Sequence, residues 1–386
     1  MDLDLTPSGA AESLPPEAHV VALARLPRLG PARLRALLER YGPFEAWSRV
    51  VRGTVDPTLV LHPGRDRPDA VVRAWARAAA TIDPAAYWGQ HARAGIGVAV
   101  GGSDAFPSVL ADDDDPPAVV FWLGDLDHLA GARVAVVGTR RATRYGRDVA
   151  EELGHDLAGA GVAVVSGLAL GIDGAAHAGA LAAEAAPPIA VVGSGLDRIY
   201  PREHGPLWRQ VARSGVILSE YPLGAPAAAW QFPARNRLIA ALADVVVVVE
   251  SQAKGGAMGT ALEAARRGVP VLVVPGPVTA ASSDGTNQLL FDGCAPARDA
   301  ADVLLALGRE PGPPRSAGER RARPDGDAAV VLAEVPWGPV PVEQLVLSTG
   351  FELGRLALAL DALEEAGWIV RRSGWVERIG REAVGR

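Results

Sequence analysis

Six short apolar runs, Val134–Val137, Val162–Val165, Ile189–Val192, Val216–Leu218, Val245–Val249 and Val271–Val274, begin about 27 residues apart, the length of one strand–helix unit. They are rich in β-branched residues and apolar throughout rather than alternating, which predicts strands covered on both faces. Between them, Tyr145–Gly159, Asp173–Ala185 and Thr260–Arg267 read as helices. The rhythm predicts an α/β fold, a Rossmann-like doubly wound parallel sheet with right-handed crossovers.

The flanks follow other patterns. Val20–Val50 reads helix, turn, helix: Pro31 suits a first helical position and opens Ala32–Tyr41, with Leu34, Leu37 and Leu38 as its apolar stripe. This resembles a SAM-like or helix-hairpin-helix module; a plain helical packing domain is the alternative. A charged, Pro-containing stretch, His62–Pro68, precedes a further helix at Val71–Ile82. Beyond the sheet, 309–327 is rich in Pro, Gly, Arg and Asp and reads as a linker. From Ala328 the chain predicts helices at Val330–Ala333, Val342–Leu347 and Glu352–Ala366, the last with Leu353, Leu356, Leu360 and Leu363 on one face. A hairpin over Trp368–Ile379, turning near Ser373-Gly374, completes a winged-helix arrangement. The map is therefore an unstructured 1–17, a SAM-like domain at 18–84, a Rossmann-like domain at 85–308, the linker 309–327 and a winged-helix domain at 328–386.

Composition narrows the chemistry. Cys294 is the single cysteine, so neither an intramolecular disulfide nor a thiolate metal cage can form. The acidic Met1-Asp2-Leu3-Asp4 start lacks the basic region of a signal peptide, and Val245–Val249 is far too short to span a bilayer. A cytoplasmic protein away from membranes is expected. The net charge of −7 argues against a generally basic coat but leaves room for a local basic groove. Lys254 is the only lysine, a bias that a GC-rich genome explains, yet it sits in a glycine-rich loop.

In an open parallel sheet, ligands bind outside the carboxyl ends of the strands. Here those ends are rich in small residues: Gly138-Thr139, Ser166-Gly167, Gly193-Ser194-Gly195 and Pro275-Gly276. Small residues let a ligand reach the backbone amides and the helix that follows. A dinucleotide fingerprint is missing, because the first strand ends Gly138-Thr-Arg-Arg and the second ends in Ser166 rather than an acid. A P-loop is missing too, since Lys254 precedes its glycines. No cofactor is expected. His177 and His204 have no Ser–Asp partners in sequence and read as core or solvated histidines; Asp112–Asp115 reads as a solvated loop rather than a metal site. What remains is a set of cations: Arg140, Arg141 and Arg144, Arg202, Arg235 and Arg237 around Asn236, and Lys254. With Phe232 and Tyr200 as stacking faces, they suit a groove that follows several phosphates of a single strand.

The same residues resemble the DNA-processing protein A (DprA/Smf) family. The matching pieces are Val134-Ala-Val-Val-Gly-Thr-Arg140, Val165-Ser-Gly-Leu-Ala-Leu-Gly-Ile-Asp173 and Gly193-Ser-Gly-Leu-Asp-Arg-Ile-Tyr-Pro-Arg-Glu203. They continue with Leu218-Ser-Glu-Tyr-Pro222, Phe232-Pro-Ala-Arg-Asn-Arg-Leu-Ile239, Gly255-Gly-Ala-Met-Gly-Thr260 and Gly285-Thr-Asn-Gln-Leu-Leu290, in order through the central domain. The resemblance implies a non-enzymatic protein that binds incoming single-stranded DNA, protects it and loads the RecA recombinase during natural transformation. It also implies a homodimer formed through the Rossmann-like domain. Mapped onto this chain, the groove comprises Gly138, Thr139, Arg140, Ser166, Gly167, Gly193, Phe232, Arg235, Asn236, Arg237, Lys254, Gly255 and Gly256. The chain departs from the family pattern at Leu170, where an arginine is common, and at Gly255-Gly256-Ala257, which replaces a Ser-Gly-Ser.

Two other classes compete. Gly255-Gly-Ala-Met-Gly-Thr-Ala-Leu-Glu263 is similar to the glycine-rich signature of nucleoside-monophosphate phosphoribohydrolases, with Glu263 as the acid. One extra residue between the glycines would turn Glu263 by about 100° around its helix. A duplex-reading regulator is disfavoured because Phe351–Gly367 sets Glu352, Asp361, Glu364 and Glu365 against Arg355 alone; packing or protein contact suits that module better.

Overall fold

The computed structural model describes residues 14–60, 67–310, 324–336, 339–372 and 374–378. The chain divides after Glu310 into two compact units. The first begins with helices α1 (Pro16–Ala24), α2 (Pro31–Arg52), α3 (Pro68–Ala79) and α4 (Pro84–Arg93). Each starts on a proline, whose fixed φ and missing N–H suit the first helical position. Where the sequence predicts an end at Tyr41, the chain only kinks: Gly42 takes φ 71° ahead of Pro43, and the helix resumes to Arg52. The stretches expected to be unstructured or linking, 1–17 and 309–327, and the charged stretch His62–Pro68 lie largely outside the described residues.

The helices lead into β1 (Gly97–Val100), α5 (Ser108–Ala111) and β2 (Val119–Gly124). The predicted alternation then follows: β3 (Arg133–Val137), α6 (Arg144–Gly159), β4 (Ala163–Ser166), α7 (Ile172–Ala182), β5 (Ile189–Val192), α8 (Gly205–Ser214), β6 (Val216–Ser219), α9 (Gln231–Ala241), β7 (Val245–Val248), α10 (Gly256–Arg266) and β8 (Val271–Val273). Helix α11 (Asp284–Phe291), β9 (Ala295–Pro296) and α12 (Ala300–Ala306) close the unit.

The sheet order is β1-β2-β6-β5-β4-β3-β7-β8-β9. From β6 to β9 neighbours run parallel; β2 is antiparallel to both β1 and β6. The sheet is thus mostly rather than wholly parallel. Residues alternate between faces along β3: Val134 and Val136 join a core with α6, α7 and α12, whereas Ala135 and Val137 join one with α9 and α10. Farther along the sheet, Phe121, Val192 and Ile217 share a third core with Leu23, Leu37 and Trp75 of the N-terminal helices. The N-terminal helices therefore cover the sheet instead of forming a core of their own. The chain runs outward from β3 through β4, β5 and β6, then returns to β7 on the other side of β3. That reversal opens a crevice at the carboxyl ends of β3 and β7.

The second unit contains α13 (Gly326–Glu334), β10 (Val340–Pro341), α14 (Val342–Thr349), α15 (Leu353–Glu365), β11 (Ile369–Arg372) and β12 (Trp375–Arg378). Its sheet order is β10-β12-β11, and Val331, Leu345, Leu356, Leu360, Leu363 and Val376 form its own core. Leu353, expected on the apolar face of α15, stands exposed at the first position of that helix.

Candidate functional site

The crevice is shaped by close backbone approaches. A Cβ on Gly138 would stand 2.5 Å from Ile172 Cγ1 and 2.9 Å from the Glu250 carbonyl, so only glycine lets the chain leave β3 here. The next amide, of Thr139, donates to that carbonyl at 2.7 Å. The Glu250 carboxylate is buried and accepts from the Thr143 amide (2.9 Å) and hydroxyl (2.5 Å). The Thr143 hydroxyl in turn accepts from Gly146 N–H, capping α6. Glu250 thereby fixes both ends of the loop that displays Arg140 and Arg141. As an acid just beyond an all-valine strand it carried a sequence signal, but one with no named role.

Beside this loop lies a cavity of about 440 Å³, adjoined by a recess of about 40 Å³. Arg235 on α9 reaches both and is only 5% exposed. Its Nη1 donates to the Val191 carbonyl, while Nε is buried with no hydrogen-bond partner among the described residues. Gly167 lies against the guanidinium so closely that a Cβ there would collide with it. Burial draws Arg235 down to about 10, partly offset by the field of Asp173. Asp173 is itself buried, and desolvation pushes it up, against the pull of Arg235 and of the Gly167 amide at 3.1 Å. Buried charge of this kind is costly unless paired and hydrogen-bonded, so an anion entering the cavity would complete the arrangement.

The walls add stacking surfaces and amides. Arg140 Cζ lies 4.6 Å from the centre of the Phe232 ring, and the Phe232 and Tyr200 rings are 5.2 Å apart with a tilt of 33°. Cation and rings together form a platform for flat ligands. Gly255 ends in extended geometry as the N-cap of α10 with no side-chain cap, and the space beside Gly256 is open. Helix-start amides of this kind attract anions. Asn236 Nδ2 holds that terminus by donating to the Gly256 carbonyl at 3.1 Å. Leu170, 39% exposed, occupies the rim of the smaller recess.

The structure brings Gly138, Thr139, Arg140, Gly167, Phe232, Arg235, Asn236, Gly255 and Gly256 to these cavities. It does not bring the rest. Ser166 is fully buried, its hydroxyl donating to the Val136 carbonyl at 2.7 Å within the sheet. Gly193 is buried beneath Gln231. Lys254 is exposed on the loop before α10, outside the cavity lining, and makes no ion pair among the described residues. Arg237, two residues beyond Arg235, points about 200° away around the helix. It pairs with Glu220 (2.5 Å) and Asp115 (3.2 Å). Burial still pushes Glu220 up to about 7, against the pull of Arg237.

The acidic run also differs from expectation. Asp113 is held by Arg267 at 2.6 and 2.9 Å, and Asp115 binds both Arg35 and Arg237, so part of the run is an ion-pair hub rather than a solvated loop. Arg267 and Arg266 also engage Glu263 at 2.7 and 2.8 Å, and Glu263 does not line the cavity. The buried His177 donates from Nε2 to the Ile189 carbonyl (3.1 Å), and burial lowers it to about 4. No cluster of potential metal ligands occurs among the described residues, and no helix there is long and apolar enough to cross a membrane.

Comparison with known proteins adds to this geometry. The family model for DNA recombination-mediator protein A matches residues 98–308. A Mycobacterium tuberculosis protein bearing the DNA processing protein DprA name is 36% identical over 370 residues, covering 92% of each chain. The structure of DNA processing protein A (DprA) from Streptococcus pneumoniae superposes with a TM-score of 0.62 at 29% identity, over 75% of this chain and 96% of that one. DNA processing protein A from Helicobacter pylori, whose structure was described for its single-stranded DNA binding mode, gives a TM-score of 0.50 at 32% identity, over 55% and 95%.

Proposed function

The chain belongs to the DNA recombination-mediator protein A family, and from that premise we propose that it binds single-stranded DNA in the Arg140–Phe232–Arg235 groove. Its role is in DNA processing. The observation that carries the groove is Arg235: a buried guanidinium with an unpartnered Nε, seated on Gly167 in a cavity open to solvent. A phosphate at that point would pair with the guanidinium, and the open amides of α10 are placed for a second one. The Arg140–Phe232–Tyr200 platform favours a single strand, because a duplex keeps its base faces stacked inside.

The protein acts by binding rather than catalysis; Glu263, the acid that a phosphoribohydrolase would need, is neutralised by Arg266 and Arg267. In the cytoplasm it protects incoming DNA and hands it to the RecA recombinase during natural transformation. It does so as a homodimer through the Rossmann-like domain, whose exposed Leu262, Val278 and Phe291 offer apolar contact.

A salt series comparing single- and double-stranded oligonucleotides tests the groove. Single-strand affinity is expected to fall steeply with salt, by about 0.7 in log–log slope per phosphate contacted. Arg235→Ala should weaken binding at least tenfold for every sequence. A folded Arg235→Ala protein that binds like the wild type would remove the proposed site.

A further inference from the structure

The segment Ala227–Arg237 is a wall between two cavities. Ala227, Ala229, Phe232 and Arg235 face the groove just described, whereas Ala228, Trp230, Ala234 and Arg237 face a larger one of about 930 Å³ on the side of the N-terminal helices. We propose that this larger cavity is a second nucleotide subsite, taking the bases of single-stranded DNA that run over the start of α9 beyond the Arg140–Phe232–Arg235 groove; it presupposes single-strand binding in that groove.

Three observations support it. Trp230 is 58% exposed at the head of α9, and its indole meets Tyr221 edge-on at 6.0 Å. The far edge of the indole reaches toward the turn before α2, where a Cβ on Gly30 would lie 3.9 Å from Trp230 Cη2. A large aromatic left this exposed on the wall between two cavities is a ready platform for a base. Second, Tyr221 lines the cavity and its buried hydroxyl has no hydrogen-bond partner among the described residues, so hydrogen-bonding capacity is left over in the cavity wall. Third, positive charge gathers there: besides Arg35 and Arg237, which pair with the two carboxylates of the lining among the described residues, Arg25, Arg28 and Arg33 line the cavity, in a chain whose net charge is −7. The uncapped first turn of α2 adds its amides to the same wall. Continuity selects the occupant: a strand held at Phe232 has only to cross the residues between it and Trp230.

The test measures affinity of the full chain for oligothymidylates of roughly 4 and roughly 16 nucleotides, lengths that bracket the site of one folded module. Trp230→Ala should leave the short oligonucleotide unaffected and weaken the long one by about fivefold or more, the loss of one base–aromatic stack. Trp230→Phe should restore most of it. Phe232→Ala, by contrast, should weaken both lengths. A 2-aminopurine placed along the long strand should be quenched at a position where Trp230→Ala alone relieves the quenching. Equal binding of the long strand by wild type and Trp230→Ala overturns the subsite while leaving the main groove intact. A change in oligomeric mass with unaltered DNA binding also overturns it, by assigning Trp230 to a protein contact. If the wild type binds neither length, the subsite falls together with the groove.

Discussion

Arg235 and Arg237 stand two residues apart on one helix and live in opposite circumstances. Arg235 is buried with a backbone carbonyl as its hydrogen-bond partner and an acid acting only through space. Arg237 is clamped between two carboxylates. In the proposed groove the first would be the cation that meets an anion from outside; the second already has its anions. Burial alone therefore does not separate the two. What sets Arg235 apart is hydrogen-bonding capacity left over beside a cavity.

The largest effect that sharpens this contrast falls on stability, on the Arg237 side. Arg237→Ala strands Glu220 in the interior, a loss of about 3–5 kcal/mol in urea unfolding. Single-strand binding by the folded fraction should change less than twofold. Glu220 is pushed up to about 7, above its ordinary range. Its contribution to stability is thus present below about 4.5 and lost as pH rises through about 7. The penalty in Arg237→Ala should accordingly shrink as the pH is lowered.

The Arg235 side titrates in the opposite sense. His177 is fully buried, and Arg235 joins desolvation in lowering it from 6.5 to about 4. A lowered histidine contributes stability that is present above pH 6.5 and lost as pH falls toward 4, on the order of 3 kcal/mol in all. His177→Gln should flatten this acid limb of a melting-temperature profile. An unchanged profile would show that His177 is not the titrating group.

Next comes the binding loss in Arg235→Ala. Combining it with Asp173→Asn removes the buried acid that Arg235 balances, so recovered stability with binding still lost would separate the two roles of the guanidinium. The smallest effect is at Leu170. Leu170→Arg sets a cation at the rim of the small recess and should steepen the single-strand salt slope by about 0.7. No change in slope would place position 170 off the phosphate path.

The parallel strands were legible because β-branched runs covered on both faces leave an unbroken apolar signature. β1 and β2 flank the acidic run, and β9 spans two residues, too short to show a period. The glycine and arginine loops of the site were legible as well, since close backbone approach leaves few alternatives to glycine. The partition of Arg235 from Arg237 was not. It depends on where α9 begins, and Gln231-Phe232-Pro233 gives no capping side chain from which to count turns. The fate of Asp113 and Asp115 was hidden for a related reason: their arginine partners lie 154 and 80 residues away, at Arg267 and Arg35.

The third core, in which Trp75 and Leu37 meet Phe121 and Ile217, gives the boundary of the folding unit a different place from the boundary of the family match. Cutting the chain at residue 98 would leave the matched region with a bare hydrophobic flank on the half of the sheet nearest β6. The N-terminal helices thus cover that flank from within the same chain. A fragment that keeps this core intact starts at α1, because the core is shared between the sheet and residues that the family match leaves out.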